Sequence, residues 1–130
     1  MSLSQVQART AFHAFFPRAS GQVFAVIPPL GGADTRANRG LAVEYDGVHG
    51  AHVLLSEWPV QSFAIRFGKH DLSGHPCTLV EYASSSFAFT TRSGLVATVL
   101  GDTGSSHADV RASAQEAMAR ACGPTTPTSH

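Results

Sequence analysis

Lysine is almost absent from this chain, and the sequence carries no excess of charge of either sign. The 130 residues include a single lysine, Lys69, and nine basic residues balance nine acidic ones. Nucleic-acid binding draws on clustered lysine and arginine side chains that neutralise phosphates. Because the arginines are scattered and the formal net charge is zero, the sequence argues against nucleic acid as a main partner.

Long apolar runs are missing as well. No stretch approaches the roughly 20 apolar residues that a membrane-spanning helix needs. The N-terminus also lacks a basic region followed by an apolar one, which is the pattern of a secretory signal. We therefore expect a soluble chain with no membrane span. Its expected location is cytoplasmic, or extracytoplasmic if an upstream signal or anchor has been removed.

Cysteine is scarce, and the two residues present allow two interpretations. Cys77 falls in a predicted strand and Cys122 at the end of a predicted helix. If the helix packs over that strand, the two form a disulfide, which implies an oxidising compartment. In the alternative they are two buried free thiols, because cysteine behaves as a small apolar residue.

Three closely spaced strands are predicted in the second half of the chain. They cover residues 75–82, 87–91 and 95–100, and the last two are separated by a short loop that contains Gly94. Such a glycine supplies the positive φ of a tight hairpin. The loop at 84–86 is a turn between strands.

The first half predicts further strands at 22–27, 41–45, 52–58 and 62–67. Pro28 and Pro29 end the first of these, and because proline cannot donate to a ladder, this strand should lie at a sheet edge. Residues 41–45 and 52–58 form a second hairpin around the loop at 46–50. Residues 68–74 are polar and predict an exposed loop.

Helices are predicted at both ends of the chain. Ser4 and Gln7 have the spacing of a capping box, and phenylalanines repeat at helical spacing until Pro17. The second helix begins after Ser106 and ends at Gly123. Its expected buried stripe consists of Val110, Ala114, Ala117, Met118 and Ala121.

These elements predict an α+β fold. We expect a curved antiparallel sheet of five to six strands, with the N- and C-terminal helices packed on one face. A chain of this length buries about two thirds of the surface that its unfolded form exposes, which is enough for one real core. Residues 1–124 are expected to form a single domain and residues 125–130 a disordered tail.

Histidine is the one compositional excess, with seven residues. His49 and His52 have an H-x-x-H spacing, and His75 follows the next predicted strands. Imidazoles bind zinc and other transition metals, so the three form a hypothetical metal site. The alternative is that they are exposed or singly hydrogen-bonded loop residues.

No catalytic motif is present. The chain has no G-x-S-x-G nucleophile elbow, and Cys77 follows Pro76 instead of beginning a helix that would lower the pKa of its thiol. Glu44, Glu57 and Glu81 lie singly in separate predicted strands. We therefore expect neither an enzyme nor a bound cofactor.

Aromatic residues are plentiful in and beside the predicted strands. If their rings line the concave side of the sheet, they form an apolar pocket for a small ligand or a groove for a peptide. In the alternative they fill the space between sheet and helices, because cores are close-packed. The six residues are Tyr45, Trp58, Phe63, Phe67, Phe87 and Phe89.

The segments at 74–80 and 87–102, followed by an alanine-rich helix, resemble a bacterial domain of unknown function. That domain occurs in the C-terminal, extracytoplasmic part of some anti-sigma factors and related membrane-attached proteins. The resemblance covers roughly residues 41–121. The chain departs from the family pattern in lacking a transmembrane helix and a tryptophan in the strand at Phe87. The family offers no catalytic residues to carry over, so the resemblance implies sensing or protein interaction.

The leading hypothesis is therefore a non-catalytic bacterial sensor or protein-interaction module with a protein partner, and a homodimer is one form of such an interaction. A carrier of a small apolar ligand and a histidine metal-binding protein are the two alternatives.

Overall fold

The computed structural model describes residues 5–6, 8–12, 14–15, 22–29, 33–59, 66–67 and 69–123. The named elements in these ranges are eight strands, a short 3₁₀ helix and one long α-helix. In chain order they are β1 (Val23–Ile27), β2 (Gly40–Asp46), the 3₁₀ helix (Val48–Gly50), β3 (His52–Pro59), β4 (Arg66–Phe67), β5 (His70–Asp71), β6 (Val80–Ala83), β7 (Ser86–Thr90), β8 (Leu95–Gly101) and α1 (His107–Cys122).

Six strands form one sheet in the order β1-β2-β3-β8-β7-β6. The sheet consists of two antiparallel meanders, β1–β2–β3 and β6–β7–β8, which meet where β3 pairs antiparallel with β8. The short strands β4 and β5 form a separate ribbon. A mostly antiparallel six-stranded sheet with a C-terminal helix confirms the expected α+β class and strand number.

Strand β1 lies at one edge of the sheet, as the two prolines after it predicted. It pairs only with β2 in the sheet order, and Pro28 follows its last residue, Ile27. The opposite edge is β6, which pairs with β7.

Helix α1 confirms the predicted cap, and of the predicted buried stripe it confirms Val110, Ala114 and Ala117, whereas Met118 and Ala121 are partly buried. The Ser106 hydroxyl accepts a hydrogen bond from the Asp109 N–H at 3.2 Å, and Gly123 ends the helix with a φ of 76°. Val110 and two alanines of the stripe are fully buried. Close approach to the sheet needs Gly101, because a Cβ at that position would collide with the Val110 side chain.

The core lies mainly between α1 and one face of the sheet, because alternate strand residues point to that face. The cluster contains Val43, Tyr45, Ala51, Val53, Leu55, Phe87, Phe89, Ala97 and Val99 from the sheet side and Val110, Ala114 and Ala117 from α1. A smaller cluster on the opposite face contains Leu72, Ala88 and Val96, with Trp58, Phe67, Val80 and Tyr82 packed around it.

The expected N-terminal helix is wrong for the residues that the structure describes. Gln5 and Val6 are helical, but residues 8–12 and 14–15 form turns, a bend and irregular backbone. The Arg9 N–H donates to the Val6 carbonyl at 3.0 Å, which closes a single turn. Ser4 and Gln7, which would form the capping box, lie outside the described residues.

A tertiary contact explains the loss of that helix. The Phe15 N–H donates to Glu57 Oε1 at 3.1 Å, so it is not available to a helical carbonyl four residues earlier. The Phe15 ring lies 5.9 Å from the Phe89 ring. Because short helices are marginal without tertiary support, docking Phe15 on the sheet outweighs the local helical pattern.

The strand expected at 75–82 is also shorter than its apolar pattern suggested. The chain turns at Pro76 and Cys77, where Cys77 has a φ of 60°, and β6 begins only at Val80. The polar segment 68–74, expected to be a loop, contributes β5. Residues 62–65 of another predicted strand and the expected tail at 125–130 lie outside the described residues.

Glu57 is a fully buried carboxyl on the same sheet face as the main core. It lies on β3 between Leu41 and Ala97 in the strand register, and its side chain is 0 % exposed. Its Oε1 accepts the Phe15 N–H, and its Oε2 has no hydrogen-bond partner among the described residues. Burial raises the pKa of Glu57 to about 8, against which the Phe15 hydrogen bond lowers it.

We predict that this carboxyl makes the fold less stable as pH rises. Between the unfolded pKa of 4.5 and the folded value of about 8, the folded chain holds a proton that the unfolded chain has lost. The free energy of unfolding should therefore fall by up to about 1.4 kcal/mol per pH unit in that window. Glu57→Gln, which cannot ionise, should gain stability relative to the wild type from pH 5 to pH 8 in urea titrations.

Glu116→Gln is the matched control, because it makes the same chemical change at an exposed position of α1. Its stability difference from the wild type should vary much less across that pH range. A constant difference between Glu57→Gln and the wild type from pH 5 to pH 8 would contradict the prediction.

Candidate functional site

Helix α1 runs antiparallel to β6 and is fixed beside it at both ends. At one end Cys122 of the helix forms a disulfide with Cys77, and the two Cα atoms are 6.0 Å apart. At the other end His107 Nε2 lies 2.8 Å from Glu81 Oε2 on β6. Of the two interpretations of the cysteines, the structure has the disulfide.

Two adjacent cavities lie between these fixed ends, and we call them together the α1–β6 groove. The first has a volume of about 190 Å³ and the second about 220 Å³. Gln115 and Met118 line both. The other lining residues are Leu79, Glu81, Phe87 and Arg111 in the first cavity, and Cys77, Ala119, Cys122 and Gly123 in the second.

The second cavity is apolar except for Gln115, whereas the first has charged groups. The His107 hydrogen bond, the Ser85 N–H and the Arg111 charge lower the pKa of Glu81. The Ser85 N–H donates to the same oxygen, Oε2, at 3.1 Å. Arg111 is exposed on α1. The groove therefore combines apolar walls with one compensated carboxylate and one exposed guanidinium.

The groove borders a free sheet edge. β6 is the last strand in the sheet order, so its outer backbone groups have no strand partner among the described residues. Hydrogen bonding to the neighbouring strand β7 extends back to Cys77, whose N–H donates to the carbonyl of Thr90, the last residue of β7, at 2.7 Å. A register shift between Glu81 and Ala83 interrupts the pairing at the other end. The regular edge therefore covers Val80 and Glu81, and the backbone before it, back to the turn at Cys77, is irregular.

The structure does not bring the predicted ligand-binding rings together. Tyr45, Phe87 and Phe89 lie in the main core and are at most 1 % exposed. Trp58 and Phe67 lie on the opposite face of the sheet. Phe63 is outside the described residues. Of the described rings in that prediction, Phe87 is the one that reaches the groove.

Each of these rings has a structural contact instead. Burial, with a smaller contribution from the Glu116 charge, raises the pKa of Tyr45 to about 12, so its hydroxyl stays neutral in the core. The Trp58 indole N–H donates to the Pro28 carbonyl at 2.9 Å. The Phe67 ring packs 5.0 Å from the Tyr82 ring. These are the contacts of a close-packed fold.

The three histidines of the hypothetical metal site do not share a partner, and each has a different environment. His49 Nδ1 is 2.8 Å from Asp109 Oδ1, where it lowers the pKa of that carboxyl. His52 lies 3.6 Å from a Glu44 carboxylate oxygen, and His75 is exposed in the loop before β6. In the ranges that the structure describes, no group of three or more His, Cys, Asp or Glu side chains could hold a metal ion.

Sequence reasoning missed the groove, although part of its signal was present. Arg111 and Gln115 are four residues apart, at helical spacing, beside the predicted stripe, and Met118 lies at the margin of that stripe next to them. What the pattern does not show is that this side of the helix lies next to the edge strand. That placement depends on the position of α1 over the sheet.

No known family model, curated protein or solved structure matches this chain. The resemblance to the anti-sigma-factor domain therefore stays a prediction. No helix in the described ranges has both the length and the apolar character required to cross a bilayer.

We predict that the disulfide contributes strongly to stability. It closes a loop between positions 45 residues apart, and removing a link of this kind costs about 2–4 kcal/mol. The double variant Cys77→Ala/Cys122→Ala should lose about that much free energy of unfolding in urea titrations. Dithiothreitol should destabilise the wild type to a similar extent and leave the double variant unchanged. Equal stability of reduced and oxidised wild type would contradict this.

Proposed function

We propose that this protein is a non-catalytic interaction module that binds an extended peptide segment of a partner protein in the α1–β6 groove. The segment pairs with the free edge of β6 as an added strand, and its side chains enter the two cavities. One observation carries the proposal: the outer edge of β6, which has no strand partner among the described residues, lies beside a partly apolar groove between β6 and α1.

The cavity volumes favour side chains of a peptide over a small-molecule ligand. Pockets for drug-sized ligands are about 300–1,000 Å³, whereas a cavity of about 150 Å³ is enough for benzene. At about 190 and 220 Å³, each cavity suits one side chain. In these two cavities a peptide is therefore favoured over a small apolar ligand.

The spacing of the cavities also fits an extended chain. The first is lined by Arg111, Gln115 and Met118 of the helix, and the second by Gln115, Met118, Ala119 and Cys122. Their centres are therefore about one helical turn apart, or about 5–6 Å. Side chains on one face of a strand recur every second residue, at about 6.6 Å. Residues i and i+2 of an added strand thus match the two cavities.

The groove is held in place by contacts within the chain. The disulfide and the His107–Glu81 contact fix the two ends of α1 relative to β6, and the alanine stripe fixes its middle. A preformed groove reduces the ordering cost that binding must offset. This supports recognition of a segment that becomes ordered on binding.

We further propose that this interaction module acts as a sensor in a bacterium. It is supported by the resemblance of residues 41–121 to the anti-sigma-factor domain. The disulfide supports an oxidising, extracytoplasmic location, because disulfides persist in such compartments.

We predict that random ten-residue peptides displayed on phage will yield binders that depend on the groove. Ala119→Trp should weaken the binding of selected peptides at least tenfold by fluorescence polarisation, because the indole fills the second cavity from an exposed position. Arg120→Trp, at an exposed α1 position that lies on another side of the helix and lines neither cavity, should leave affinity unchanged. Thermal melts should show both variants folded.

Amide shifts give a second readout of the same complex. In NMR titrations of the wild type, bound peptide should move the signals of residues 77–83 more than those of β1 at the opposite edge. If no peptide is selected, or if selected peptides bind Ala119→Trp as well as the wild type, the proposed function is wrong.

A further inference from the structure

We infer that the partner segment carries a carboxylate two residues beyond the apolar residue that occupies the first cavity, and that the Arg111 guanidinium binds this carboxylate. The motif is then two apolar residues at i and i+2 and an aspartate or glutamate at i+4, or the same order reversed if the strand runs the other way. This inference rests on the proposed function and specifies the chemistry of its ligand.

The charges at this end of the groove support a carboxylate. Among the residues that line the two cavities, Glu81 and Arg111 are the charged ones. The carboxylate of Glu81 already has two partners on Oε2, His107 at 2.8 Å and the Ser85 N–H at 3.1 Å. Arg111 is exposed, and the described residues show it acting on Glu81 only through its charge.

The helix itself adds to the positive potential. Arg111 is the fifth residue of α1 and directly follows the first turn, whose free N–H groups carry partial positive charge. A carboxylate of the partner would therefore meet both the guanidinium and the favourable helix end. Guanidinium groups pair with carboxylates through two parallel N–H bonds, which favours aspartate or glutamate over a neutral side chain.

The position of Arg111 sets the position of the carboxylate. Arg111 precedes Gln115 by four residues, so it lies about 6 Å farther along the helix, on the side away from the disulfide. The next side chain on the same face of an extended peptide lies about 6.6 Å beyond the first cavity. The acidic residue is therefore the third in a row of alternate side chains, after the two apolar ones.

A parallel selection tests the inference. The same random ten-residue phage library is sorted on the wild type, on Arg111→Glu and on Arg120→Glu. The wild type should enrich aspartate or glutamate at the position two residues from the apolar pair. Arg111→Glu should enrich lysine or arginine there. Arg120→Glu is the matched control, since it changes an exposed arginine of α1 that lines neither cavity, and it should keep the acidic preference.

One selected peptide then gives the magnitude. Changing its acidic residue to asparagine or glutamine should weaken binding to the wild type about five- to tenfold at low salt and less at high salt. The same change should strengthen binding to Arg111→Glu.

The outcomes separate this inference from the proposed function. If selected peptides lose affinity for Ala119→Trp but show no charge preference, or keep the acidic preference on Arg111→Glu, the inference is overturned and the proposed function stands. If the wild type selects a basic residue at that position, the side chain there binds Glu81 instead of Arg111, and the inference is also overturned. If no groove-dependent peptide is found, the proposed function fails as well.

Discussion

The close approach of α1 to the two central strands is the constraint on which the rest of the structure depends. Small side chains on the helix and Gly101 on β8 allow this approach, and Val110 fills the space that Gly101 leaves. Because α1 packs over the centre of the sheet, the helix-facing side of β6 is only partly covered. The same alanines bring little apolar area. The disulfide and the His107–Glu81 contact therefore hold the helix where burial alone is weak.

Local sequence patterns correctly predicted the strands, the hairpin and the helix that depend mainly on residues close to them in sequence. Alternation in β2 and β3, Gly94 in the last hairpin and Ser106 before α1 each act through neighbours in sequence, so they can be read directly. The N-terminal helix was wrong because Phe15 donates its N–H to Glu57, 42 residues away. The shortened β6 has a similar cause, since a disulfide partner 45 residues away accompanies the turn at Cys77.

The candidate site was less predictable than the fold, for a related reason. Alternation shows which residues of one strand share a face, but it does not show which faces of different strands coincide. Tyr45 and Trp58 were therefore grouped, although they lie on opposite sides of the sheet. The groove joins β6, the loop before it and α1, and no local pattern fixes how a helix lies across strands that precede it.

The pairing of β3 with β8 has a consequence for how the chain folds. The ladder joins Pro59 to Leu95 and Val53 to Gly101, pairs that are 36 (95 − 59) and 48 (101 − 53) positions apart. Closing that long loop lowers the conformational entropy of the chain before the hydrogen bonds of the ladder can form. Topologies dominated by such distant pairings fold in milliseconds to seconds. The covalent ring from Cys77 to Cys122 encloses the second meander with α1 and leaves the first meander outside. Oxidation of the thiols therefore restricts the unfolded ensemble of one half of the molecule, and the other half must still find its place by diffusion.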